Sequence, residues 1–296
     1  MFFINTVTNI FLLYKITRKE FIKKLAQGEV FFSCCGRYVD IAKAGCEKGQ
    51  GDKNECVFAK YLKKNSRKPI QVYKKLFGKD LKIESDGDYV LFRRKSSLLT
   101  PTACFYSIDN ETAINNLQGK EKECIEQILT ENQGKEKVTI EKFPLTIPQI
   151  YLDEFNLNDD ELDAMIIQPG LFLPALTAKN VTYRKIAYID TNKEFDIFED
   201  ELYLNFYGKL TKSEAIEKRI EMFFKDKENY SHQCEFRCII SNTLFKNHSQ
   251  GKTVKISGLA SMESNVGNTQ NATGKDFICN VKNDVFFAKV TMEKKK

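Results

Sequence analysis

The sequence predicts an α+β protein, and three features predict it. The chain opens on a strand, helix, strand pattern; short strand-like stretches bounded by Gly, Asp and Asn recur along it; and helical spacing of apolar residues appears in separate segments between them. Ile10 to Ile16 is a run of large apolar residues around Tyr14, ended by Thr17, which is placed to cap a helix. From Arg18 to Gln27 the residues Phe21, Ile22 and Leu25 fall at helical spacing, Gly28 supplies a stop, and Glu29 to Ser33 returns to strand composition. Gly45 to Glu55, with Gly49, Gly51, Asp52 and Asn54, is turn chemistry and reads as a loop.

Further strands are expected over Leu81 to Phe92, with Asp86-Gly87-Asp88 as the turn, and over Thr102 to Ile108. A helix is expected within Asn110 to Thr130, its Glu121-Lys122-Glu123 face a solvated surface. Val138 to Phe143, a proline-marked segment from Pro144 to Pro148 and an acidic patch from Asp153 to Asp163 follow. Thr182 to Ile189 reads as a strand, Ser213 to Phe224 as an amphipathic helix with Ile216, Ile220 and Phe223 on one face, and a strand begins at Glu235. Residues 247–275, rich in Ser, Asn, Gly and Thr without apolar rhythm, read as a long polar loop, and Phe277 to Met292 as two short strands or one bent one. No composition shift marks a boundary and no repeat of solenoid length is visible, so residues 1–296 are expected to form a single elaborated domain.

Composition excludes several classes. With 42% hydrophobic, 12% aromatic and 29% charged residues, the chain is neither globally disordered nor fibrous. Its 46 basic and 40 acidic residues leave a net charge of +6, too mild to imply a nucleic-acid partner by itself. The apolar stretch Phe2 to Tyr14 is interrupted by Asn5, Thr6, Thr8 and Asn9, so neither a spanning helix nor a signal peptide is expected and no membrane partner is anticipated. Nine scattered cysteines read as reduced thiols, from which a cytoplasmic location is expected. With two histidines, and Cys234/Cys238 the one close cysteine pair besides Cys34/Cys35, no metal site is expected. Phosphate-loop, dinucleotide-fingerprint, zinc-protease and hydrolase-elbow motifs are absent.

One cluster carries chemistry. His232-Gln233-Cys234-Glu235-Phe236-Arg237 puts an imidazole, a carboxylate and a guanidinium at the mouth of a strand, with Glu235 and Arg237 at i and i+2 on one face. Either Arg237 pairs with a glutamate and pins the preceding loop, or the carboxylate stands at a pocket rim as a base or as the stabiliser of a developing sugar cation. His248, in the polar segment, reads as an exposed loop residue.

Several segments together resemble a family of uncharacterised bacterial and prophage proteins. They are Tyr14-Lys15, Gly28 to Ser33, Gly51-Asp52-Lys53-Asn54-Glu55, and Phe224-Lys225-Asp226 with Tyr230, His232-Gln233 and Glu235-Phe236-Arg237. The chain departs from that family in Cys34-Cys35 and in its long polar segment. A looser resemblance, in the order Tyr14/Lys15, Ser33, Glu235, is to ADP-ribosyltransferase-like folds, among them toxins and phage-defence effectors. That resemblance implies a mixed, split β-sheet with flanking helices and NAD as a substrate. It further implies a protein or nucleic-acid acceptor and a neighbouring regulatory protein as partners. Glu235 would stabilise the ribose cation, Arg237 or His232 would orient it, Tyr14 or Lys15 would contact the ribose or pyrophosphate, and Ser33 would fix the nicotinamide ribose. The alternatives are a nuclease with His232 as base and Arg237, Arg93, Arg94 and Lys95 on phosphates, or a non-enzymatic interaction or sensor protein. The Arg93-Arg94-Lys95 run also reads as a solvated strand end.

Overall fold

A computed structural model describes residues 12–45, 51–109, 112–113, 117, 119–135, 137–145, 162–167, 169–204, 210–256, 278–279 and 286–293. Its elements in chain order are β1 (Leu12–Arg18), α1 (Lys19–Ala26), β2 (Glu29–Cys34), α2 (Gly36–Ala44), β3 (Val57–Leu62), α3 (Arg67–Phe77), β4 (Leu81–Asp86), β5 (Tyr89–Arg94), α4 (Lys95–Leu98) and β6 (Pro101–Ile108). There follow α5 (Gly119–Glu131), β7 (Lys137–Leu145), β8 (Leu162–Ile167), α6 (Pro169–Thr177), β9 (Thr182–Lys185), β10 (Ala187–Ile189) and β11 (Phe195–Asp196). The last are α7 (Lys212–Glu217), β12 (Phe224–Asp226), α8 (Lys227–Tyr230), β13 (Glu235–Ile239), β14 (Gly251–Lys255), β15 (Ile278–Cys279) and β16 (Phe286–Glu293). The protein is a mixed α+β structure in which β1 runs antiparallel to β6 and β8, β2 to β6, β3 to β5 and β11, β4 to β5, β7 to β16, β8 to β15 and β9 to β13, whereas β10 and β12 are parallel. Among the described residues no helix is long and apolar enough to cross a membrane.

The chain divides into two compact units, each built from separated segments: Met1–Glu29 with Phe105–Ala175 and Lys255–Lys296, and Val30–Cys104 with Leu176–Val254. Because each unit is assembled from segments far apart in sequence, no linker separates them and composition carries no boundary.

In the first unit β1 pairs with the end of β6 on one side, Tyr14 opposite Tyr106, and with β8 on the other, Tyr14 opposite Ile166. Leu12, Leu13, Tyr14 and Ile16 are all buried, as in a strand covered on both faces. The expected opening strand and helix are found, but Thr17 lies inside β1 and the α1 N-cap is Arg18, which makes no side-chain cap bond. Gly28 ends the α1 turn at φ +84°, donating to Leu25 O at 2.8 Å, and its carbonyl accepts from Ile256 N at 2.9 Å. A Cβ there would stand 2.1 Å from the Ile256 carbonyl oxygen.

In the second unit, β11, β3, β5 and β4 form a four-stranded antiparallel sheet, with Asp86-Gly87-Asp88 at its β4–β5 hairpin as expected. An aromatic core packs on it: the Phe58 ring centroid lies 4.9 Å from that of Tyr73, 5.3 Å from Phe77 and 5.5 Å from Phe198. Inside this core Asp196 accepts hydrogen bonds from the hydroxyls of Tyr73 at 2.6 Å and Tyr61 at 2.7 Å.

Three expectations are revised here. The helix expected over Ser213 to Phe224 is cut: α7, closed at its start by a Thr211/Glu214 capping box, ends before Arg219 turns left-handed at φ +53°. That break turns Glu221 inward, where it accepts from Ser97 Oγ at 2.5 Å. The strand expected over Thr182 to Ile189 divides into β9 and β10 around buried Ile186, whose amide donates to the Glu235 carbonyl at 2.9 Å. The start of the expected polar loop is strand β14, beside β2, because backbone pairing needs no apolar rhythm; residues 257–275 of that segment and the 153–161 part of the acidic patch lie outside the described residues.

Gly28→Ala should lower stability by about 2 kcal/mol or more, since the substitution meets both a left-handed backbone and a carbonyl oxygen. A chemical-denaturation midpoint unchanged from the wild type would contradict this packing.

Candidate functional site

The second unit encloses a cluster of charged side chains drawn from two stretches of sequence, Asp52 to Glu55 and Lys225 to Arg237. β13 begins at Glu235 because Cys234, left-handed at φ +44°, ends the preceding turn, and the Glu235 amide donates to Tyr188 Oη at 2.8 Å. Two residues on, Arg237 lies on the same face of the strand and is 0% exposed. Its Nε donates to Glu235 Oε1 at 2.8 Å, and its Nη1 and Nη2 take the two carboxylate oxygens of Glu55, the Nη2–Oε2 distance being 3.1 Å. Nη1 also donates to Met222 O at 2.6 Å. A fully buried guanidinium is thus met by two carboxylates and a carbonyl, the condition under which such a charge is tolerated.

Lys225, on the short strand β12, completes the group. Its ammonium lies 2.6 Å from Glu235 Oε2 and 3.2 Å from Gln233 Oε1, and 4.7 Å from the centre of the Tyr230 ring. Burial alone would raise the Glu235 carboxyl, but Arg237 and Lys225 outweigh it and hold the group well below the usual carboxylate range. Burial would likewise lower the Lys225 ammonium, and the charges of Glu235 and Glu55 reverse that and raise it.

The loop before β3 brings in Asp52 and Glu55. Asp52 Oδ1 accepts from the Asn54 amide at 2.7 Å, an Asx turn, and the Asp52 amide donates to Tyr38 O at 3.0 Å. Tyr230 Oη donates to Gly51 O at 2.8 Å, tying α8 to this loop. Asp52 Oδ2 is buried with no hydrogen-bond donor among the described residues. Burial, and then the neighbouring charge of Glu55, push its carboxyl up to about 6. Glu235 also accepts a hydrogen bond from the Cys104 thiol, whose Sγ lies 3.5 Å from Tyr38 Oη, itself 3.4 Å from Ser33 Oγ.

Of the residues expected to act together, Glu235 and Arg237 are in direct contact and Ser33 reaches Glu235 through Tyr38 and Cys104. Arg237 does pair with the glutamate of its own strand, and Glu55 is added as a partner remote in sequence. His232 is half-buried in the tight turn Ser231–Gln233. Tyr14 and Lys15 belong to the other compact unit, where Tyr14 is fully buried and the Lys15 ammonium lies 5.3 Å from the centre of the Phe105 ring. Of the basic run, Lys95 is exposed, whereas Arg93 and Arg94 are turned to partners within the protein. Arg93 is buried and bonds Glu84, Lys53 O and, at 3.0 Å, Glu55 O, while Arg94 bonds Asp80 at 3.1 Å and Ile216 O at 2.7 Å. His248 Nδ1 lies 2.8 Å from Asp40 Oδ2 and is held against Gly36 rather than free in solvent.

Sequence reasoning treated Asp52, Glu55 and Lys225 as turn and motif residues, without roles. The available signal was that two of the segments carrying the family resemblance, Gly51 to Glu55 and Phe224 to Arg237, are both rich in charge; here they form one cluster. Comparison with protein-family models, curated proteins and solved structures finds no match.

Arg237→Met should destabilise the protein by about 3–5 kcal/mol, because it leaves Glu55 buried without its partner. Glu55→Gln in that background should cost much less than it does alone, a coupling that a double-mutant cycle of unfolding free energies reads directly. Asp52 and Glu235 respond oppositely to pH. Asp52 titrates above its ordinary value of 3.8, so its contribution is complete below about pH 4 and is lost as pH rises through about 6. Glu235 is held below its ordinary 4.5, so its contribution is present above that value and is lost on acidification. Asp52→Asn should therefore be more stable than the wild type at pH 8, by up to about 3 kcal/mol, with the gap closing near pH 4 in parallel urea titrations.

Proposed function

We propose that the chain is an NAD-dependent ADP-ribosyltransferase-like effector acting on a macromolecular acceptor in the cytoplasm. The observation that carries this reading is the state of Glu235: a carboxylate at the start of a strand, kept ionised by two cations and joined to Ser33 through Tyr38 and Cys104. Loss of nicotinamide breaks the bond between ribose C1′ and the pyridinium nitrogen, and the electron pair leaves with a neutral base. No strong general acid is needed, and the ribose is left as an oxocarbenium-like cation. A fixed negative charge beside that cation is what the step requires, and a carboxylate held below its ordinary range supplies it at any physiological pH.

Glu235 can face a ribose only if one of its cations gives way, and Lys225 suits that part. It is a flexible side chain with a second acceptor in Gln233, whereas Arg237 is locked on Glu55 and Met222. Ser33, half-buried at the end of β2, is the hydroxyl available to the nicotinamide ribose. The nuclease alternative is less well supplied, since Arg237, Arg93 and Arg94 already spend their donors on carboxylates and carbonyls of the protein. The split-sheet, ADP-ribosyltransferase-like topology belongs to this proposal, as do the regulatory partner and the toxin or phage-defence setting.

Purified full-length protein with labelled NAD and a cell lysate should release nicotinamide. Ser33→Ala should raise KM, and Glu235→Gln should abolish release while retaining a cooperative thermal transition. Silence of the wild type with lysate present, or equal release by Glu235→Gln, would overturn the assignment.

A further inference from the structure

Cys35 and Cys56 meet beside the charged cluster, although 20 residues separate them. Cys35 immediately precedes α2, its amide anchored on Thr100 O at 3.0 Å; Cys56 leads into β3 with a left-handed backbone at φ +60°. Their sulfurs lie 3.3 Å apart, both residues are 0% exposed, and both are reduced. Cys34 is turned elsewhere, its Sγ 3.0 Å from Leu98 O. A disulfide has an S–S bond of about 2.0 Å, so the pair has only about 1.3 Å to close.

We infer that Cys35 and Cys56 are a paired redox site that closes to a disulfide under a hydroperoxide oxidant. One thiol is oxidised to a sulfenic acid as the peroxide O–O bond breaks and one water leaves. The second sulfur then displaces the hydroxyl, forming the S–S bond and releasing a second water. In sum two S–H bonds and one O–O bond break, one S–S bond forms, and the two electrons lost by the sulfurs reduce hydrogen peroxide to two waters. The geometry favours a disulfide over a thiolate metal site. Glu55, the third donor within reach, has both oxygens committed to Arg237, and a guanidinium stands where a cation would have to be tolerated.

Selectivity comes from enclosure. A sulfenic acid formed on either sulfur has the other thiol as its immediate neighbour. Burial also sets the kinetics: it raises the Cys56 thiol well above its ordinary range, so the reaction with peroxide is slow compared with that of an exposed thiol. The closed bond would tie the residue before α2 to Cys56, the chain neighbour of Glu55, which holds the Arg237 fork. Oxidation therefore fastens the loop that carries Asp52 and Glu55.

The full chain, purified with reductant and then freed of it, is titrated with hydrogen peroxide, alkylated in denaturant and digested without reduction. The expected product is one cross-link between the Cys35 and Cys56 peptides, two hydrogens lighter than the free pair and reversed by dithiothreitol. It should be accompanied by a rise of several degrees in Tm. Cys34→Ala assigns the bond, because Cys34 travels on the same peptide: the cross-link should persist in that variant and vanish in Cys35→Ser. The inference is overturned if Cys35 and Cys56 are recovered alkylated at a peroxide dose that fully oxidises the exposed Cys124, or if the cross-link is lost in Cys34→Ala. Should Cys35→Ser fail to fold, the wild type and Cys34→Ala decide the matter between them.

Discussion

A guanidinium with no access to solvent has to find its counter-charges inside the protein, and Arg237 organises much of the second unit around that need. Leaving such a charge unmatched would cost several kcal/mol, comparable to the whole stability of an ordinary domain. Glu55 therefore has to come from the loop before β3, Glu235 from its own strand and the Met222 carbonyl from the turn after α7. Of the three only Glu55 is remote in sequence, and each segment is shaped locally to deliver its group: left-handed Cys56 follows Glu55, left-handed Arg219 precedes Met222, and left-handed Cys234 precedes Glu235. Such backbone conformations are unfavourable for side chains larger than glycine and persist where the surroundings over-determine them.

The same constraint sets the electrostatics. Three carboxyls, Asp52, Glu55 and Glu235, share two buried cations, Arg237 and Lys225. The cations lie directly against Glu235 and Glu55, and Asp52 is left with a raised affinity for a proton. One fold thus holds one carboxyl below the usual carboxylate range and pushes another above it. That separation of carboxyl environments is what acid–base and cation-stabilising chemistry draw on. It arises here from geometry alone: the fork of Arg237 is rigid and matches Glu55, whereas the Lys225 ammonium is a point charge shared between Glu235 and Gln233.

Local elements were largely legible in the sequence. The opening strand and helix, the hairpin about Asp86-Gly87-Asp88, β6 and the start of β13 at Glu235 follow from apolar spacing and turn residues, because those depend on neighbours within a few positions. Misreadings fall where tertiary demand overrides local preference. The helix after Thr211 breaks to bury Glu221 against Ser97, and the Gly-Lys-Thr stretch at 251–253 becomes strand through pairing with β2. Arg93 and Arg94, a basic run by composition, are interior and edge residues because Glu84, Asp80 and several carbonyls converge on them.

What the sequence determined by itself was the mixed α+β class, the positions of most strands and the placing of Glu235 and Arg237 on one strand face. These are consequences of period-two alternation and short-range turn chemistry, which any stretch of chain carries with it. Only the tertiary structure decided that Glu55 closes on Arg237, that Lys225 reaches Glu235, that Asp52 has a buried oxygen without a donor among the described residues, and that Cys35 meets Cys56. Each of those contacts depends on the crossing of segments whose separation along the chain contains no information about distance in space, and burial, which turns a surface charge into a structural obligation, is a property of the folded whole.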